Sequence, residues 1–221
     1  MNRPLIPLLL ASALLAAVPF AASAQAQAAQ PAAASTQGES PSKLVLDNSQ
    51  RLLSTLESRR AEFAADRSKL QAFVASEFDQ MFDREYSARQ VLGRHGRGAS
   101  DADVKLFADA LADSLMRRYG SSLLDFNTQL RVRVKSETPL PRGLGVRVSS
   151  EMLRQGGEPI PVDYLMRQTP NGWRVFDLMV EGVSFVQTFR QQFDTPLSRK
   201  SIREVAADLG AGRIEADAGT N

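Results

Sequence analysis

In the stretch TQLRVRVKS, Leu130, Val132 and Val134 alternate with Arg131, Arg133 and Lys135. An alternation of period two can bury one side of a backbone only as a strand with one wet face. This stretch therefore excludes an all-helical chain, although the apolar residues of the domain before it recur at helical spacing. Over residues 44–82, Leu52, Leu53, Leu56 and Phe63, then Leu70, Phe73, Val74, Phe78 and Met81, recur at the spacing of two amphipathic helices broken near Asp66. A short third helix carrying Tyr86, Val91 and Leu92 is predicted to stop at Gly93. Ser100, with Asp103 three residues on, has the chemistry of a helix N-cap. The helix it opens lines up Val104, Phe107, Ala108, Leu111, Leu115 and Tyr119 on one face.

After the first strand, further strands are predicted over 146–152, 162–166 and 173–179. RQGGEPIP and QTPNG supply the turns between them, so neighbours should pair as antiparallel hairpins. Residues 198–209 return to helical spacing with Ile202, Val205 and Leu209. Helices, then a strand meander, then a closing helix predict an α+β fold: a curved antiparallel sheet of about four strands wrapped by helices. There is no internal repeat.

The beginning of the chain has Arg3, an apolar run over 5–20 and the small residues Ala22-Ser23-Ala24. A secretory signal peptide over 1–24, cleaved near Ala24, is expected. No cysteine follows to carry a lipid, and no later stretch approaches the roughly 18 apolar residues of a membrane helix. The mature chain is thus expected to be exported and released. Residues 25–42, rich in Ala, Gln, Ser and Pro without periodicity, read as a flexible tail. The folded domain is expected over 43–210, with a flexible C-terminal tail over 211–221. Removing Arg3 with the signal lowers Lys+Arg from 27 to 26 against 25 acids, a mature charge of about +1 that argues against a nucleic-acid partner.

Catalytic chemistry is sparse. The single histidine, His95, lies in the glycine-rich link GRHGRGA and reads as a solvated loop residue. With no cysteine, a zinc site of the usual ligand types is excluded. Neither a phosphate-binding G-x-x-x-x-G-K-[ST] loop nor a G-x-S-x-G elbow is present. Asp177 and Glu181 in DLMVEGVSF could form a carboxylate pair for general acid–base work. Alternatively, Glu181 serves a turn that Gly182 permits, and no third group is near in sequence to complete a site. Arg131, Arg133, Lys135, Arg147 and Arg154 read as the wet side of a sheet. Met116, Met152, Met166, Met179, Phe126, Phe176, Phe185, Phe189 and Phe193 supply apolar surface. Periodicity does not separate a filled core from a lined pocket.

Three stretches, EYSARQVLG from Glu85, FADALADSLMRRYG from Phe107 and GWRVFDLMVEGVSFVQTFRQQF from Gly172, resemble the MlaC family. These are periplasmic phospholipid-binding components of the Mla lipid-transport system, also described as a toluene-tolerance family. Trp173, Asp177, Glu181, Gly182, Val183 and Ser184 stand where the family pattern has them. The resemblance spans residues 44–209, while the GRHGRGA link and the Ala-rich tail depart from it. It implies an NTF2-like curved sheet with a helical subdomain enclosing an apolar pocket, no catalysis and no cofactor beyond the carried phospholipid. It implies a shuttle between an outer-membrane lipoprotein–porin complex and an inner-membrane ABC transporter complex with its MCE-domain subunit, maintaining outer-membrane lipid asymmetry. On that reading the lipid-binding candidates are Tyr86, Val91, Leu92, Phe107, Leu111, Leu115, Val132, Val134, Val148, Tyr164, Met166, Val175, Val183 and Phe185. The alternatives are a periplasmic NTF2-like enzyme using Asp177 or Glu181 as general base, and a protein-binding adaptor.

Overall fold

The computed structural model describes residues 39–124 and 130–219. The signal peptide, most of the N-terminal tail and Phe126 lie outside the described residues. The first helix, α1 (Pro41–Ser58), begins two residues before the expected start of the domain. Ser40 caps it by accepting from the Lys43 N–H, and Pro41 sits in the first turn, where a missing N–H costs nothing. Next come α2 (Arg60–Ala65) and α3 (Arg67–Met81). Asp66 breaks the two, its carboxylate accepting from the Ser68 N–H at 3.0 Å. The helix α4 (Arg84–Leu92) ends on Gly93, and α5 (Asp101–Tyr119) starts from Ser100, whose hydroxyl accepts from the Asp103 N–H at 3.1 Å.

The strands β1 (Arg131–Pro139), β2 (Val146–Leu153), β3 (Ile160–Thr169), β4 (Gly172–Val180) and β5 (Val183–Ser184) form one antiparallel sheet in chain order. The alternation predicts four of them; the two-residue β5 is too short to leave a periodic trace. Val148 faces Tyr164, and Val134 faces Ser150, so one side of the sheet gathers Val148, Val162, Tyr164 and Met166. The register slips once in β4. Met166 pairs with Val175 but Leu165 pairs with Asp177, leaving Phe176 as the extra residue of a bulge.

The chain closes with α6 (Phe185–Arg199) and α7 (Ile202–Gly210). Ser201 and Glu204 make a reciprocal capping box at the start of α7. Together α4, α5, α6 and α7 build a second core whose centre is Phe107 edge-to-face with Phe193, ring centroids 5.5 Å apart. Each of these fully buried rings contributes roughly 1.5–3 kcal/mol by burial.

Within residues 211–219, expected as a loose tail, the segment 214–218 is instead packed. Ala216 and Ala218 are buried in the helical core. Ser114 Oγ accepts from the Ala216 N–H and Tyr119 Oη from the Ala218 N–H, both at 3.0 Å. Arg118 adds ion pairs to Glu215 and Asp217. Small side chains let this backbone lie against α5, and a composition that looks featureless conceals that fit.

Candidate functional site

The side of the sheet bearing Val148, Val162, Tyr164, Met166 and Val175 is covered by Val45 of α1, the whole forming one buried apolar cluster. Around it stand partly buried apolar side chains: Leu44, Met81, Phe82, Val134, Val146, Met152, Ile160, Trp173 and Leu178. Glu137 of β1 pairs with Val148 and so shares this side, but it is exposed and accepts from the Ser42 hydroxyl at the start of α1. The polar atoms of the cluster are satisfied, the Tyr164 hydroxyl lying 3.4 Å from Ser49 Oγ and Ser150 Oγ donating to the Val162 carbonyl at 2.8 Å. Burial pushes the Tyr164 phenol up, so it stays neutral. Such a buried surface offers mainly hydrocarbon contact, its hydroxyls engaged with one another or with the backbone.

The end of α3 guards this face. Phe82 forms an isolated parallel bridge to Val175, and the Asp83 N–H donates to the Val175 carbonyl at 2.8 Å. Phe78 stacks on Phe82 with centroids 4.0 Å apart, and yet is 41% exposed. Further along α1, Leu56 joins Phe63, Leu70, Val74 and Leu124 in a third cluster, with Leu52, Phe73, Met116 and Leu123 partly buried against it. One helix thus carries apolar surface from the sheet to α2 and α3.

The candidates from the sequence do not converge on one place. Val134, Val148, Tyr164, Met166 and Val175 belong to the sheet cluster, and Val132, paired with Met152, is half-buried beside them. Val91, Leu92, Phe107 and Leu111 lie in the core of the helical subdomain, with Leu115 and Phe185 packed against it. Tyr86 stands apart, edge-on to Phe176 at 5.4 Å with the Arg167 guanidinium 4.4 Å from its ring centre. Val183 is 50% exposed on the two-residue edge strand. The helical stripe was a true sign of burial, but burial among other helices. The sequence reading missed Val45, Val162, Ile160 and Leu178 as neighbours of the cluster. Parity along β3 points to Ile160 and Val162, whereas nothing local marks Val45 or Phe82.

The carboxylate pair separates. The bulge at Phe176 turns Asp177 to the side opposite Val175, since its partner Leu165 alternates with Tyr164 and Met166. There Asp177 is buried and accepts from Ser184 Oγ at 2.5 Å and from the Val186 N–H at 3.0 Å. Desolvation pushes its pKa up, partly offset by these hydrogen bonds. Ser184 in turn caps α6 by accepting from the Gln187 N–H at 3.0 Å. Glu181 is exposed at the turn with φ 50°, next to Gly182 at φ 83°, a pair of positive values suited to a two-residue hairpin. The junction is therefore served by the Asp177 side chain, not by Glu181.

His95 is also unlike a solvated loop residue. Its side chain is 18% exposed, with Nε2 2.9 Å from Asp194 Oδ1. Among the described residues, no cluster of His, Asp and Glu is arranged to hold a metal ion, and no helix is long and apolar enough to cross a membrane.

Comparison with known proteins gives a consistent picture. The MlaC protein family matches residues 46–211. The toluene tolerance protein ttg2D of Pseudomonas putida is 21% identical over 188 residues, 81% of this chain and 86% of that protein. Among solved structures, a phospholipid-binding protein from Ralstonia solanacearum, determined in complex with a phospholipid, matches with a TM-score of 0.69 at 21% identity. That match covers 79% of this chain and 98% of the other, and shows a shared fold.

Proposed function

Since the chain belongs to the MlaC family, we propose that it is a soluble periplasmic carrier of phospholipid and not an enzyme. The observation that carries this reading is the buried apolar inner side of the sheet, where the Tyr164 and Ser150 hydroxyls are already partnered and the Glu137 carboxylate, opposite Val148, is exposed and held by Ser42. Each buried CH₂ is worth roughly 0.8 kcal/mol, so two acyl chains of about 16 carbons represent on the order of 25 kcal/mol that water would otherwise have to accept. A carrier that crosses an aqueous space must hide those tails against such a surface. It can leave a charged headgroup in solvent, where no desolvation is required. Support also comes from the relatives, one of which is named for toluene tolerance and another for phospholipid binding.

The acyl chains are assigned to the side of the sheet lined by Val132, Val134, Val148, Tyr164, Met166 and Val175, with Phe78 and Phe82 at its margin. The helical candidates are assigned to core packing. Partners on this reading are an outer-membrane lipoprotein–porin complex and the MCE-domain subunit of an inner-membrane ABC transporter complex, with export directed by residues 1–24. Organic extraction and mass spectrometry of protein purified from the periplasm should find diacyl phospholipid at close to one per chain. Absence of lipid from every such preparation would sink the proposal.

A further inference from the structure

Two hollows, of about 260 and 470 Å³, adjoin at His95, and neither is bordered by a strand residue. Their walls come from the link between α4 and α5 and from the corner between α6 and α7. Arg94, Arg97, Arg190, Lys200 and Arg203 stand around them against the carboxylates of Asp103 and Asp194. Five cations against two acids leave a formal surplus of three, larger than the +2 of the whole chain.

The acids act as pins. Asp194 holds His95 and Arg94, each at 2.9 Å, and Asp103 holds Arg203 at 2.5 Å. Outside the walls, Lys200 reaches Asp208 at 2.6 Å, and Arg190 donates to the Gln90 carbonyl at 2.7 Å. Side chains held this way lose little further freedom when a ligand arrives. Arg97 is different, for it is exposed and meets no carboxylate among the described residues. Beside it Gly98 has φ +76°, and an added Cβ would meet nothing within 4 Å, so the link leaves open space there.

We propose that this cleft binds a phosphate-bearing anion. A phosphate group combines a charge near −2 with several strong acceptor oxygens, which suits convergent guanidinium and ammonium donors. The larger hollow falls within the size range of small-molecule sites. Two sources share this chemistry: free phosphate or a phosphate ester in solution, and the phosphates of anionic headgroups on a bilayer surface. The site is separate from the apolar side of the sheet and does not depend on what that side carries.

The test uses the whole mature chain, isotopically labelled for NMR. One arm titrates inorganic phosphate against sodium chloride at matched ionic strength, and the other compares vesicles of phosphatidylglycerol with vesicles of phosphatidylcholine. Saturable shifts of the amides of residues 93–99 and 200–203 by phosphate identify the soluble source. A response to phosphatidylglycerol vesicles alone identifies the headgroup. In either case Arg97→Glu should weaken binding at least about tenfold, with thermal unfolding unchanged because the exposed Arg97 side chain has no ion pair among the described residues to lose. No response beyond the chloride and phosphatidylcholine controls overturns the proposal, as does binding that is equal in wild type, Arg97→Glu and Arg94→Gln.

Discussion

Ser184 Oγ donates a 2.5 Å hydrogen bond to Asp177 Oδ2 while accepting from the Gln187 N–H, so one hydroxyl joins the last long strand to the first turn of α6. The Val186 N–H supplies a second donor to the same carboxylate. An acid in an apolar run thus does a structural task, completing a helix start that would otherwise bury unpaired donors.

Asp177→Ala should accordingly weaken folding and spare cargo. It strands the buried Val186 N–H, at a cost of about 1–3 kcal/mol. Urea unfolding should show that loss, while the phospholipid recovered per folded molecule stays at the wild-type level. A normal midpoint with empty protein would instead return Asp177 to the binding site.

The pH dependence of stability should separate two aspartates. Burial raises the Asp177 pKa, so the folded chain holds that proton more tightly than the unfolded chain. Its stabilising contribution is full below the ordinary aspartate value of about 3.9 and is lost as pH rises from there through the folded value. Asp208, held by Lys200 and Arg213, has its pKa lowered. Its contribution is present above about 3.9 and is lost as pH falls below that value through the folded one. The advantage of wild type over Asp177→Asn should shrink as pH rises through the first window. The advantage over Asp208→Asn should grow as pH rises through the second. Calorimetric unfolding of the three proteins from about pH 2 to 7 checks both signs.

Charge placed on the sheet should distinguish its apolar side from its edge. Met152 is half-buried against the sheet cluster, whereas Val183 is half exposed on β5. Met152→Glu should reduce copurified phospholipid at least about tenfold, because a carboxylate there must be desolvated by the acyl chains. Val183→Glu should leave lipid content and folding near wild type. Equal lipid content in both variants would displace the cargo from this face.

Tyr119→Phe tests the packed C-terminal segment. The hydroxyl both accepts from the Ala218 N–H and donates to Asp217. Its removal should lower stability by about 1 kcal/mol in urea unfolding. Amide exchange should accelerate at residues 215–219 before it does in α5. Unchanged exchange there would mean that the buried alanines alone hold the segment.

Much of the architecture could be read locally. The Ser100 cap, the break at Asp66 and the stop at Gly93 each follow from chemistry within four residues of the position concerned. The parity of β2 and β3 picked out Val148, Tyr164 and Met166 as one face. Local pattern could not say which buried face meets which. Phe107 and Val148 carry the same apolar signal yet end in different cores, since periodicity reports that a side chain leaves water and not what it leaves water to join.

By itself, then, the sequence determined most of the elements, though not β5 or the extent of α6, together with their order and the family, because caps, turns and alternation act between near neighbours. Only the tertiary structure decided the rest: the side of the sheet on which Asp177 stands, the packing of residues 215–218 against α5, and the meeting of Arg97 and His95 with the α6–α7 corner. The extra residue at Phe176 is the clearest case. Counting by twos from Val175 places Asp177 on the apolar side, but a bulge shifts the register by one, and pairing across strands settles it, which no single strand records.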